Sequence, residues 1–381
     1  MLRWDIFCTV VDNYGDIGTC WRLARQLAAE HEADVRLWVD DLEHFACLCP
    51  AVSPATSRQQ VGGIEIRNWQ AEFPEVDVAD VVVEAFACNL PASYIAAMDR
   101  RAPQSVWVNL EYLSAESWVE DCHLLASPQT GLSLTKIFFF PGFTSRTGGL
   151  LRERELIASR AAFDAAAKTE FWRSLGLAPG SESELCVSLF CYENAALPDL
   201  LECWAAGPVR VHVLALPGAA TEQIATWFGA SLSSGKPLRK GSLVVDALPF
   251  LSQAAYDRLL WACDMNFVRG EDSFVRAQWA QRPFVWQIYP QTENVQLVKL
   301  EAFLARCFGG FTEAQAVQRC WQAWNGRGEI GEAWQAYAAN RPALEQHGKV
   351  WANELDRMGD LADNLARFVR GNFVPGNSGR T

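Results

Sequence analysis

Short apolar strands and helical stretches alternate in two successive series along this chain, and that double alternation constrains its fold more than any other feature. In the first series, residues 6–11 read as an apolar strand, 21–29 as a helix rich in Leu and Ala, and 34–38 as a second strand. Asp40, Asp41 and Leu42 open a helix toward Cys49, and residues 64–69 alternate like a strand. Residues 78–84 form a nearly continuous apolar run, as a strand buried on both faces requires. A helix over 91–101 with Pro near its start, a strand over 105–110 and a last strand over 136–140 complete the series. Repeated β-α-β units predict a parallel, doubly wound sheet.

Pro141-Gly142 and Thr147-Gly148-Gly149 break the pattern. Residues 150–177 read as helical, and the domain boundary falls there. The second series places strands over 185–190, 209–216, 243–246, 265–268 and 283–287, with helices over 197–205, 252–263 and 273–280. The rest is helical: Leu344, Val350, Trp351, Leu355, Met358, Leu361, Leu365 and Phe368 recur near helical spacing. The predicted organisation is a Rossmann-like domain over 1–155 joined by a returning helix over about 350–370, a second Rossmann-like domain over 156–349, and a mobile Gly/Pro/Ser-rich tail over 371–381. This is the layout of GT-B glycosyltransferases, two doubly wound domains facing across a cleft. The other two-Rossmann layout, a dehydrogenase, calls for G-x-G-x-x-G after a strand, and no turn here carries it.

The net charge of −12 and the lack of a basic stripe argue against nucleic-acid binding. No apolar run approaches the ~18 residues of a membrane span. The sequence opens directly into a strand without a leader-like segment, so a cytoplasmic location is expected. The 12 Cys lie mostly singly in apolar runs and lack zinc-site spacing, so reduced, buried thiols are expected. The five histidines lack ligand spacing to each other or to Glu, and no metal or other cofactor is expected.

Two segments carry candidate chemistry. The first is Asp12-Asn13-Tyr14-Gly15-Asp16-Ile17-Gly18, which joins the first strand to the first helix and places two carboxylates four positions apart. The crevice beyond the carboxyl ends of parallel strands is where such folds bind ligands. The second is Arg269-Gly270-Glu271-Asp272-Ser273, between a strand and a helix that Asp272 or Ser273 can cap. The free N–H groups of that helix start and the Arg269 fork suit a diphosphate. Glu271 and Asp272 suit sugar or ribose hydroxyls. Phe190 and Phe250, at strand ends, suit the faces of a flat base, and Gln253 its edge. Gln291, Glu293 and Asn294 follow the 283–287 strand as a further polar cluster.

The residues around these segments resemble the EarP family, the protein-arginine rhamnosyltransferases of bacterial elongation factor P. The resemblance is carried by Trp4-Asp5-Ile6-Phe7-Cys8, by Val10 through Gly18, by Trp21-Arg22-Leu23-Ala24-Arg25-Gln26-Leu27 and by Val35 through Leu42. It continues in Asn109 through Glu116, Phe138 through Phe143, Arg269 through Ser273 and Phe284 through Gln291. It implies an inverting enzyme that moves L-rhamnose from dTDP-β-L-rhamnose to an arginine side chain of elongation factor P. It further implies that Asp12, Asp16 and Glu271 are catalytic. Tyr14, Gly15, Phe190, Tyr192, Phe250, Gln253, Arg269, Gly270, Glu271, Asp272, Ser273 and Tyr289 would line the donor. With two acids in one loop, Asp16 is expected as the base and Asp12 as the group that orients the guanidinium. The alternatives are a GT-B transferase with a small-molecule or glycan acceptor, and a non-catalytic nucleotide-sugar-binding protein.

Overall fold

A computed structural model describes residues 1–12, 14–70, 72–177, 184–290 and 296–372. The chain divides into two compact units, Met1–Arg154 with Leu355–Thr381, and Glu155–Glu354. The polar cluster Gln291, Glu293 and Asn294, and most of the expected tail, lie outside the described residues.

The first unit holds an eight-stranded sheet. Its strands are β1 (Arg3–Cys8), β2 (Asp34–Val39), β3 (Arg58–Val61), β4 (Ile64–Asn68), β5 (Val81–Ala85), β6 (Val106–Leu110), β7 (Ala126–Pro128) and β8 (Thr135–Phe139), in the order β3-β4-β2-β1-β5-β6-β8-β7. The six central strands run parallel, whereas β3 and β7 pair antiparallel at the two edges. The edge strands correct the expectation of a purely parallel sheet. Their sequences, RQQV and ASP, offer no apolar run because an edge strand buries little.

One face of this sheet packs on the helix Gly15–His31 and on the returning helix Leu361–Asn372, through Ile17, Leu23, Leu27, Leu365 and Val369, all fully buried. The return is fixed at a close approach of backbones. Leu361 N–H donates to the Leu150 carbonyl at 3.0 Å, and Asn364 Nδ2 donates to the Gly148 carbonyl at 3.0 Å. Gly149 sits at φ +77°, and a Cβ there would lie 2.7 Å from the Gly359 carbonyl oxygen. Only glycine meets both conditions without strain.

The other face carries the Phe7, Trp38, Tyr94 and Trp107 cluster. Set into it is a buried ion pair: Arg36 of β2 donates to both Asp5 oxygens at 2.7 and 2.6 Å, and the Tyr94 hydroxyl donates to the same carboxylate. Burial pushes the Asp5 carboxyl above its ordinary value, against the pull of the Arg36 guanidinium.

The second unit has six strands, β9 (Glu184–Leu189), β10 (Arg210–Ala215), β11 (Leu238–Lys240), β12 (Leu243–Ala247), β13 (Met265–Arg269) and β14 (Phe284–Gln287), in the order β11-β12-β10-β9-β13-β14. All pair parallel except β11, an antiparallel edge strand that the sequence reading lacked. The helix Asp272–Ala280 is tied to the helix Gln253–Ala262 by Arg276, which makes a forked pair to Asp257 at 2.9 and 2.7 Å. Phe274 of that helix stacks on Trp286 of β14 at 3.9 Å. Residues 150–177 are not one helix. They form Leu156–Ala161 and Ala165–Ser174, and the second starts at an Asp164 cap that accepts from Ala167 N–H. No described helix is long and apolar enough to cross a membrane.

Among the parallel strands of each sheet the strand order reverses once. The reversal falls between β1 and β5 in the first unit and between β9 and β13 in the second. Each reversal opens a crevice at the carboxyl ends of the two strands.

The Asp5–Arg36 pair tests the first core directly. Arg36→Met leaves a buried carboxylate without its partner and is expected to cost about 3–5 kcal/mol in urea unfolding. Asp5→Asn combined with Arg36→Met should recover much of that loss.

Candidate functional site

The first crevice holds the carboxylate pair. The helix begins at Gly15 rather than at Trp21, so Asp16 stands in its first turn and Asp12 alone remains in the loop. Negative charge is favoured at that position by the helix dipole. Asp16 is 2% exposed, and its Oδ2 accepts the N–H groups of Val11 and Asp12 at 2.9 and 2.8 Å. The carboxylate therefore sets the path of the loop that presents Asp12. Asp12 itself is half-buried at the surface of the unit. Burial raises the Asp16 carboxyl above its ordinary value; the two backbone N–H bonds oppose the shift, the nearby Asp12 charge adds to it, and a hydrogen bond from the Tyr112 hydroxyl opposes it.

Gly15 lies against Asp12. A Cβ on Gly15 would sit 2.5 Å from Asp12 Oδ2, so any side chain there displaces the carboxylate. Tyr14 occupies the N-cap position without a side-chain cap bond, and its ring lies 5.9 Å from that of His44. The His44 ring is in turn bonded to Asp41 at 2.6 Å. Asn13 lies outside the described residues.

The second crevice gathers the other candidates. Phe190 and Tyr192 follow β9, Arg269 ends β13, and Gly270, Glu271, Asp272 and Ser273 turn into the next helix. The Arg269 guanidinium lies 4.5 Å from the Phe190 ring centroid and 4.3 Å from that of Tyr192. Tyr289, at the end of β14, meets Tyr192 edge-on at 5.5 Å. A buried cation held over two rings keeps its charge at the strand end, beside the helix start. It also covers part of the Phe190 and Tyr192 surfaces that a base would need.

The expected cap is not formed. Glu271 occupies the N-cap position of the helix Asp272–Ala280, with no side-chain cap bond. Ser273 instead turns inward, accepting from Arg269 N–H at 3.1 Å and donating to the Arg269 carbonyl. It ties the last strand residue to the first helical turn and leaves the capping role open. Gly270 supplies the turn, at φ +63°, and its carbonyl accepts from Trp286 Nε1 at 2.8 Å. Glu271 and Asp272 are half-buried at this turn. Phe250 is half-buried after β12, and Gln253 is buried as the first residue of the helix Gln253–Ala262. β12 is separated from β9 by β10, so Phe250 and Gln253 approach from two strands away.

Three residues beside the crevices were not singled out as site residues by the sequence reading. Gln287 ends β14, accepts Tyr192 N–H at 2.9 Å and donates to the Glu193 carbonyl at 3.2 Å, joining two loops of the second crevice. Glu84, next to the last residue of β5, lies beneath the first crevice at 1% exposure. Tyr112 follows β6. The available signal for the first two was a polar residue inside an otherwise apolar strand, FVWQ and VVVEA. Among the described residues no group of three His, Cys, Asp or Glu side chains is placed to hold a metal ion.

Comparison with known proteins bears on both crevices. Residues 4–370 match the family model described as elongation factor P rhamnosyltransferase EarP. A protein-arginine rhamnosyltransferase of Pseudomonas putida is 49% identical over 374 residues, covering 96% of this chain and 98% of that protein. A solved structure described as the basis for EarP-mediated arginine glycosylation of translation elongation factor EF-P matches with a TM-score of 0.70 and 36% identity, over 98% of this chain and 100% of that one. A kitacinnamycin glycosyltransferase shares the fold alone, with a TM-score of 0.51 at 12% identity over 98% of this chain and 99% of that one. The architecture is the GT-B fold.

The buried Asp16 has a stability signature. Its carboxyl holds a proton to higher pH in the folded chain than in the unfolded one. Its contribution to stability is therefore full at low pH and is lost as pH rises from the ordinary carboxylate value through the raised folded value. Asp16→Asn removes this titration, so its urea midpoint should gain on the wild type as pH rises across that window. A constant gap between the two would contradict the assignment.

Proposed function

The chain belongs to the EarP family of elongation factor P rhamnosyltransferases, and from that membership we propose that it transfers L-rhamnose from dTDP-β-L-rhamnose to the guanidinium of one arginine of elongation factor P, with inversion at the anomeric carbon. The observation that carries the reading is the sorting of charge between the two crevices. The first holds two carboxylates at a strand end, and the second holds the Arg269 guanidinium beside a helix start, together with Glu271 and Asp272.

A guanidinium is a poor nucleophile, because its lone pairs are delocalised and its pKa exceeds ~12. Asp12, half-buried in the loop, accepts a forked pair of N–H bonds and orients the acceptor. Asp16, held by its two backbone N–H bonds and made more basic by burial, takes the proton as the new bond forms. One attack on the anomeric carbon breaks its bond to the diphosphate oxygen, and dTDP departs with the electron pair. A single displacement from a β-linked donor gives an α-linked product.

The leaving diphosphate is anionic. The N-terminus of the helix Asp272–Ala280 and the Arg269 guanidinium supply the opposite charge for it, without a metal in the step. Glu271 and Asp272 accept from sugar and ribose hydroxyls. Phe190, Tyr192, Phe250, Gln253 and Tyr289 surround the base and sugar. Gly270 allows the close turn that brings these groups together.

Intact-mass analysis of elongation factor P incubated with this protein and dTDP-β-L-rhamnose tests the reading. The expected result is a gain of one deoxyhexose on a single arginine, undiminished by EDTA, with an α-anomeric signal in NMR of the product. Asp16→Asn and Glu271→Gln should each reduce turnover by at least about a hundredfold, in line with the loss of a general base or a transition-state contact. Retained turnover in Asp16→Asn would remove it as the base, and a β-linked product would rule out inversion.

A further inference from the structure

The loop that follows β5 is built in an unusual backbone. Phe86, Ala87 and Asn89 have φ of +56°, +52° and +57°, in the left-handed region that residues with a Cβ avoid. A bulky aromatic is among the least suited residues for it. Such conformations persist only where the surroundings enforce them, and they concentrate at functional sites. Both ends of this loop are held. At its start, Phe86 N–H donates to the Leu110 carbonyl of β6 at 2.7 Å. At its far end, Asn89 N–H donates to Glu84 Oε1 at 3.1 Å. Glu84 is buried, and its other oxygen accepts from Trp107 Nε1 at 3.1 Å and Lys136 Nζ at 3.0 Å.

The product of this arrangement is one contact. Phe86 stacks on Tyr112 with centroids 4.4 Å apart and planes 14° apart, at the surface of the unit, where Tyr112 is 36% exposed. The loop lies across the strand-order reversal from the loop of Asp12 and Asp16. The Tyr112 hydroxyl donates to the Asp16 carboxylate. A surface ring held this way is oriented by the stack.

We infer that Tyr112 is a positioning residue for Asp16, and that the left-handed loop over 86–89 exists to hold it there through Phe86. The inference rests on the reading of Asp16 as the base. The hydroxyl donates to the ionised carboxylate, fixes its orientation toward the acceptor, and favours its charged form. Among the described residues, the titratable groups that act on Asp16 include Asp12 from its own loop and Tyr112 from the loop after β6, and Asp16 in turn acts on the buried Cys8 thiol of β1. Cys8 stays neutral, because the neighbouring Cys20 thiol and burial push it well above its ordinary value. Of these three, Tyr112 is the one that favours the ionised form.

The pH dependence of kcat and KM separates this role from a structural one. In Tyr112→Phe the ring and the stack remain and only the hydroxyl is lost. The acidic limb of the kcat profile should move up by roughly one pH unit, the shift produced by losing one hydrogen bond to a charged group. On that limb kcat should fall about tenfold, with KM for dTDP-β-L-rhamnose unchanged. Phe86→Ala keeps the hydroxyl but removes its support, so the limb should move in the same direction by less, and Phe86→Tyr should restore it. A wild-type limb and kcat in Tyr112→Phe would overturn the inference, while an inactive Asp16→Asn would leave the base assignment standing. Retained turnover in Asp16→Asn would instead remove the reading on which the inference rests.

Discussion

Parallel strand pairing is the constraint on which the rest depends. Parallel neighbours need a crossover between them, so in each unit the central strands end on one edge and their loops collect there. The strand order reverses at β1/β5 and at β9/β13, and the crossovers that leave in opposite directions leave a gap. The candidate residues fall at these gaps. Asp12 and Asp16 follow β1, with Phe86 after β5. Phe190 and Tyr192 follow β9, with Arg269 at the end of β13.

The two gaps are furnished in opposite ways. In the first, a buried carboxylate is held by backbone N–H groups and gains basicity from its burial. In the second, a buried guanidinium lies over two aromatic rings next to a helix start. An acid at one strand edge suits a cationic acceptor, and a cation at the other suits an anionic donor. Neither crevice alone supplies both needs of a glycosyl transfer to arginine. Each unit also tightens its own crevice from behind: Glu84 and Lys136 beneath the first, Gln287 and Trp286 beneath the second.

Much of this was legible in the sequence because the central strands are buried on both faces and write themselves as apolar runs, as Val81-Val82-Val83 does. The antiparallel edges β3, β7 and β11 were not, since RQQV, ASP and LRK bury too little to carry a pattern. The start of the first helix was misplaced because Tyr14-Gly15-Asp16 is turn chemistry by composition, and burial of Asp16 against the loop is a tertiary effect. Ser273 looked like a cap by position; its hydroxyl is drawn instead to both backbone groups of Arg269. Tyr112 and Phe86 come together from the loops after the consecutive strands β6 and β5, and the left-handed backbone at Phe86 has no glycine to announce it.

In the proposed reaction the labour is divided, with the nucleotide held by the second unit and the acid chemistry carried by the first. Hydrogen exchange read by mass spectrometry, with and without dTDP, tests it most directly. dTDP should slow exchange in the segments over 190–193 and 268–275, at the carboxyl ends of β9 and β13. Slowed exchange over 9–18 with no change over 268–275 would contradict it, because the nucleotide would then sit on the carboxylate loop.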